Sequence, residues 1–223
     1  MEALLTAILD DDRQQAKKLL KEYAELARRQ IETARFYDRQ IFHWIYVGDT
    51  ALHLAAAGYR VELIQLLLNS GADANSNSNH RRSGPLHYAT DGYIAVPTWD
   101  PKRQVETIRC LLEAGADIDA QDKNGATPLH RAVRTRSAAA VKFLLEAGCD
   151  AKVRNKPGST AFHLAVQNTG RGGSGAEKAK EAQREIIQIF IERGLSPQVQ
   201  DSRGKTVFDW ARSGWVKEML IND

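Results

Sequence analysis

Apolar positions along this chain fall into short runs of helical period, each closed by a polar or glycine stop. In the first run Leu4, Leu5, Ile8 and Leu9 share one helical face, and Asp10-Asp11-Asp12 breaks and caps it. A second pattern, through Ala16, Leu19, Leu20, Tyr23, Leu26, Ala27, Ile31 and Ala34, predicts one unbroken helix from about Arg13 to Asp38. At 1.5 Å per residue such a helix would be roughly 39 Å long and would have to project or fold back. The dense apolar stretch from Ile41 to Val47 predicts a packed segment. From residue 48 onward the pattern becomes regular. Apolar helical runs open on Thr50-Ala51-Leu52-His53, Gly84-Pro85-Leu86-His87, Thr127-Pro128-Leu129-His130 and Thr160-Ala161-Phe162-His163. Each is followed by a second run that stops at Gly71-Ala72-Asp73, Gly115-Ala116-Asp117, Gly148-Cys149-Asp150 or a decayed Gly194-Leu195-Ser196.

Local chemistry explains the phrase. A Thr hydroxyl satisfies an orphan amide at a helix start, and Pro tolerates the first turn. The Leu and Ala that follow are apolar or small enough for helix pairs to stack closely. Gly supplies the left-handed ending of the second helix, and the Asp or Asn after it favours a turn. His130 and His163 lie 33 residues apart, and His53 and His87 lie 34 apart. The intervals of 43 to His130 and 46 from His163 to Asp209 equal the same period with roughly 10 and 13 residues inserted.

A period near 33 carrying this phrase resembles the ankyrin repeat family, over about residues 48 to 223. The resemblance implies an all-α fold, an ankyrin repeat solenoid of helix-turn-helix-finger units whose neighbours stack into one continuous core. Residues 1–47 would form an N-terminal helical cap with a long second helix. Four repeats would span about 48–81, 82–124, 125–157 and 158–203, and 204–223 would be a truncated C-terminal cap. Departures from the family phrase are Asp209 at the motif histidine, Thr135-Arg136-Ser137 where Gly-His is usual between helices, and Gly84 in place of Thr. These are expected to weaken local hydrogen bonds without changing the fold.

The insertions, near 92–103 and 168–180, fall between the first and second helices of their repeats. The first holds Pro97, Trp99, Asp100 and Pro101, a stiff loop on which Trp99 is a candidate binding anchor, weighed against packing on its own helix pair. The second is Gly-rich and leads into a charged stretch, Glu177 to Glu185, expected to lengthen the second helix of repeat four. Its run from Thr169 to Gly175 has little to anchor it and is expected to be mobile, with Arg171 the first tryptic site. Gly170-Arg171-Gly172-Gly173-Ser174-Gly175 fits G-x-G-x-x-G, but the dinucleotide fingerprint needs a preceding strand and a parallel sheet. A loop is therefore the expected reading.

The recurring histidines invite a metal reading. Stacked helices lie about 10 Å apart, too far for two of these side chains to share a zinc held at about 2 Å. In the family the residue bridges backbone groups between repeats, so no metal is expected. No nucleophile sits in a catalytic context, and no cofactor or small-molecule ligand is expected. Trp210 and Trp215 read as cap core.

Composition changes the picture little. There is no apolar run of membrane-spanning length and no leader-like start, and two cysteines in different repeats, Cys110 and Cys149, read as reduced thiols. A cytoplasmic protein is expected. The net charge of +3 is mild, but its distribution is uneven. Finger residues 74–83, 118–126, 151–159 and 197–205 carry +2, −1, +3 and +1, together more than the whole chain, and Arg131, Arg134 and Arg136 lie nearby. In the resembled family, fingers and exposed first-helix positions face the partner. The reading is therefore a non-catalytic protein-interaction module that recognises another protein, in its finer form an acidic segment. The contacts would be Lys123, Asn124, Arg134, Arg154, Lys156, Gln167 and Arg203. Two other classes stand beside it: a regulatory or catalytic subunit using the inserted loops, and a polyanion or nucleic-acid binder, for which the mild net charge gives little support.

Overall fold

A computed structural model of the protein describes residues 1–37, 41–91, 99–167 and 177–221. Among these, helices come in six pairs: α1 (Glu2–Leu9) with α2 (Arg13–Glu22), α3 (Ala51–Ala57) with α4 (Val61–Asn69), and α5 (Pro85–Thr90) with α6 (Pro101–Glu113). Then follow α7 (Pro128–Arg134) with α8 (Ala138–Glu146), α9 (Ala161–Ala165) with α10 (Glu177–Glu192), and α11 (Val207–Trp210) with α12 (Gly214–Ile221). The glycines that stop four of the second helices, Gly71, Gly115, Gly148 and Gly194, have φ of +89, +84, +89 and +70, the left-handed ending their positions predicted.

Pairs stack side by side, so a first helix is enclosed by its own partner and by the neighbouring first helices. Residues Ala51 to Ala56 of α3 are accordingly buried all round. One apolar core runs from Leu4 to Leu220. Each unit is stabilised by its neighbours, and the ends are closed by the shorter or more polar pairs.

The N-terminal unit departs from the expected long helix. Helix α2 ends at Glu22, and a short 3-10 turn at Ala24–Ala27 redirects the chain. Leu26, Ala27 and Ile31 do reach the core, which is why the helical period persisted that far, but Ala34 is exposed. Backbone pairing decides the outcome: Ile31 donates its amide to the Asp49 carbonyl at 2.7 Å, and Gly48 donates to the Ile31 carbonyl at 2.9 Å. A continuous helix would have kept those groups for itself.

Beyond Ile31 the finger of the first unit grows into an antiparallel hairpin, β1 (Arg35–Tyr37) with β2 (His43–Ile45), in which Phe36 faces Trp44. The stretch expected to be packed throughout is packed only in alternation. Ile41 and Ile45 are buried, whereas Phe42, Trp44 and Val47 remain about half exposed. Gly58, just past α3, lets the hairpin lie close: a Cβ there would sit 2.5 Å from Ile41 Cδ1.

Repeat three also differs from expectation. Arg136, at φ +63, turns its guanidinium inward and donates to the Ala165 and Gln167 carbonyls at 3.1 and 2.8 Å. Ser137 donates to Gln104 Oε1 at 2.6 Å and its hydroxyl receives the Ala140 amide at 3.4 Å. The unusual turn thus ties repeats together instead of weakening them. Helix α10, at 16 residues, is nearly twice the length of α8. The Gly-rich run with Arg171 and the Gly92–Thr98 stretch with Pro97 lie outside the described residues. Cys149 is buried and Cys110 half-buried, both as free thiols, and burial pushes the Cys149 thiol up to about 12.

Candidate partner-binding surface

Two kinds of polar structure meet between neighbouring units. One is the buried seam. Each motif histidine receives the amide of the residue three before it on Nδ1: Thr50 to His53 at 3.0 Å, Gly84 to His87 at 3.2 Å, Thr127 to His130 at 3.3 Å and Thr160 to His163 at 3.2 Å. An accepting Nδ1 leaves the proton on Nε2, which donates to the next unit. The acceptors are the carbonyls of Ser83, Ala126, Ser159 and Lys205, at 3.1, 3.0, 3.1 and 3.3 Å. Both ring nitrogens are thus engaged in joining units. Burial lowers the pKa of all four and takes His87 to about 4, with the Arg131 charge adding to the effect, so the neutral form persists.

Arg131 is the bulkiest fully buried side chain among the described residues, 2% exposed. Its guanidinium pairs with Asp91, and it donates to Asp122 Oδ2 and Ser83 Oγ, each at 2.7 Å. Although burial would raise the Asp91 pKa, the Arg131 guanidinium, with His43 and Arg134, holds it well below the usual carboxylate range. A second buried cluster gathers on Asp49, which accepts from Tyr88 Oη and Asn79 Nδ2 at 2.7 Å each. Of the three arginines noted near the first helix of repeat three, Arg131 and Arg136 are therefore inside the stack. Only Arg134, with a side chain 63% exposed and 3.6 Å from Asp91, faces outward.

The other structure is the finger edge. Adjacent finger tips are joined through backbone: Lys123 N donates to the Arg81 carbonyl at 2.7 Å, and Lys156 N donates to the Asn124 carbonyl at 2.9 Å. Ser202 Oγ completes the series on the Pro157 carbonyl at 2.7 Å. These bonds place Arg82, Lys123, Lys156 and Arg203 on successive rungs, each exposed. None of the four has an ion-pair partner among the described residues. Asn124 is exposed on the same rung as Lys123.

Arg154 belongs elsewhere. Its guanidinium donates to the Gly158 carbonyl at 2.7 Å and to the Gln200 carbonyl, so it is a strut between fingers three and four. Gln167 and Arg203 come together at the C-terminal end. With Asp201, Lys205, Asp209, Trp210 and Arg212 they line a cavity of about 420 Å³. Its two carboxylates are already engaged: Asp201 accepts the Trp210 indole N–H at 3.0 Å, and Asp209 accepts the Thr206 amide and hydroxyl at 2.8 Å each. Asp209 thus fills the histidine's place in the helix-start motif.

Trp99 is half-buried and donates its indole N–H to Gln104 Oε1 at 3.1 Å, with Gln104 Nε2 continuing to the Ala89 carbonyl at 3.0 Å. Its polar handle is held by its own helix pair, and it leaves the proposed surface. What sequence reasoning missed is the hairpin and Arg212, while Arg81, Arg82 and Lys205 entered only the finger charge count and not the expected contacts. The inward–outward alternation from Ile41 to Ile45 was the available signal, hidden inside a stretch apolar enough to read as core.

Comparison with known proteins agrees with this architecture. A family model described as ankyrin repeats in three copies matches residues 4–99 and 102–201. The chain is 33% identical over 92 residues, 41% of its own length, to ankyrin repeat and SOCS box protein 6 of Mus musculus, covering 20% of that protein. It is 32% identical over 94 residues, 42% of its length, to rabankyrin-5 of Mus musculus, covering 8% of it. It is 34% identical over 88 residues, 39% of its length, to alpha-latrotoxin-Lhe1a of Latrodectus hesperus, covering 6% of it. The chain thus spans a fifth or less of these relatives' length. No helix among the described residues is long and apolar enough to cross a membrane.

Proposed function

Because the chain belongs to the ankyrin repeat family, we propose that it is a non-catalytic module that binds another protein by an extended acidic segment laid along the finger edge. Ankyrin repeats mediate protein–protein interaction and are in general non-catalytic. The observation that carries the finer reading is the row of cations on hydrogen-bonded rungs, Lys123, Lys156 and Arg203, without an ion pair among the described residues and continued by Lys205 and Arg212 at the terminal cavity. Exposed, ordered charges of one sign steer an oppositely charged partner and fix its register. Arg203 and Arg134 add the fork that grips a carboxylate by two bonds. Free, buried or half-buried thiols at Cys149 and Cys110 support a cytoplasmic setting for that partner.

The test is fluorescence anisotropy with a labelled glutamate-rich peptide, against wild type and the triple variant Lys123→Glu, Lys156→Glu, Arg203→Glu. Arg154 is left out of the variant because it braces the fingers. The reading expects a loss of about tenfold or more at low salt. Unchanged affinity in the triple variant contradicts it. A single-stranded oligonucleotide of matched charge is the control, and binding as tight as the peptide's would transfer the edge to the polyanion reading.

A further inference from the structure

We propose that the hairpin is the anchoring end of the same edge, so that the partner segment pairs one aromatic or large aliphatic side chain with acidic residues at three-residue intervals. The inference rests on the acidic-segment reading above. Three of the five large apolar side chains that stand exposed among the described residues lie within six positions: Phe42 at 48%, Trp44 at 50% and Val47 at 54%. Scattered exposed apolar residues are ordinary, whereas a contiguous patch marks an interaction surface. Phe36 lies 5.5 Å from Trp44, and Trp44 stacks on Tyr46 at 6.3 Å with planes 19° apart, so the patch is one ordered aromatic face.

Its support is packed against the stack. Ile41 and Ile45 are buried beneath it, and His43 reaches Asp91 at 3.5 Å and the Tyr88 ring at 4.8 Å. An anchor already ordered before binding loses little freedom on binding. The Trp44 indole N–H has no hydrogen-bond partner among the described residues, in contrast to Trp99 and Trp210, whose donors are held.

The patch is continuous with the basic ladder. Tyr46 and Val47 stand four and three residues before Thr50, the places that Lys123 and Asn124 take before Thr127 and that Lys156 and Pro157 take before Thr160. Arg81 makes the join: its guanidinium lies 5.3 Å from the Tyr46 ring centroid and donates to Tyr46 Oη at 3.2 Å. Rungs of stacked helices recur at about 10 Å, and an extended chain advances about 3.3 Å per residue. One rung therefore matches about three residues of partner, and the charge of the rungs requires acids there.

A double-mutant cycle tests this. The probe is a labelled peptide with one tryptophan followed by glutamate at every third position, serine and glycine between, and its counterpart with alanine for tryptophan. Wild type is expected to favour the tryptophan peptide by about tenfold, and Trp44→Ala to remove that preference while leaving binding of the alanine peptide unchanged. Val47→Ser, on the exposed tip, repeats the cycle should Trp44→Ala shift the unfolding midpoint. A preference that survives both variants, or is absent in wild type, overturns the anchor. If Lys123→Glu, Lys156→Glu, Arg203→Glu still weakens both peptides in that case, the acidic-segment reading stands without its anchor. If the triple variant binds both peptides unchanged, that reading falls and the anchor falls with it.

Discussion

Arg131 and Lys123 carry the same charge eight residues apart and have opposite fates. Arg131 lies in the seam with Asp91, Asp122 and Ser83 all bound to it, whereas Lys123 stands on the edge, exposed and without an ion pair among the described residues. Burying a charge is tolerated only when partners replace its water, so a seam cation is committed to holding units in register. An edge cation keeps its water until a partner arrives. A count of basic residues near the groove therefore overstates the charge open to a ligand, since Arg131, Arg136 and Arg154 are all bonded to other groups of the protein.

The sharpest way to break this contrast is Arg131→Ala. It strands two carboxylates, and the expected loss is about 3–5 kcal/mol in urea unfolding. Lys123→Ala should stay within about 0.5 kcal/mol of wild type. Equal losses would erase the distinction.

Acid probes the seam without mutation. The four motif histidines are neutral when folded because burial lowers their pKa, so the unfolded chain takes up protons that the fold refuses. Their stabilising contribution is complete above about pH 6.5 and is lost as pH falls toward the folded values. For His87, held near 4, the loss amounts to about 3 kcal/mol. Asp91, whose folded pKa is depressed, adds a further loss below about pH 4. Urea midpoints at successive pH values from 7 to 4 should fall steadily, and a flat profile would remove the histidines from the account.

His130→Ala isolates one junction. It leaves the Thr127 amide and the Ser159 carbonyl without their buried partner, an expected loss of about 1–3 kcal/mol. Arg154→Ala should show a smaller loss, because water reaches the carbonyls that it frees. Its melting temperature compared with that of Lys156→Ala sharpens the difference between strut and free charge.

The repeats were legible because their signals are local. Thr, Pro and Gly at fixed offsets dictate helix starts and stops whatever the neighbours do, and the histidine phrase recurs with the stack. The N-terminal unit was not, because Leu26, Ala27 and Ile31 serve a helix and a folded-back finger equally well. The choice is made by backbone bonds from Ile31 to Gly48 and Asp49, seventeen or eighteen positions away. At the candidate surface, register alone placed Lys123, Asn124, Lys156 and Arg203 at finger tips. It could not tell that Arg154, two residues from Lys156, would turn back onto carbonyls.

Amide hydrogen exchange of the whole chain, free and with the tryptophan–glutamate peptide, tests most directly the claim that the edge binds while the seam holds. The account predicts added protection at residues 44–47, 80–82, 123–124, 156 and 202–205, with the exposed face of α4, α6, α8 and α10 unchanged. Protection on that helical face, with the edge unaffected, would contradict it.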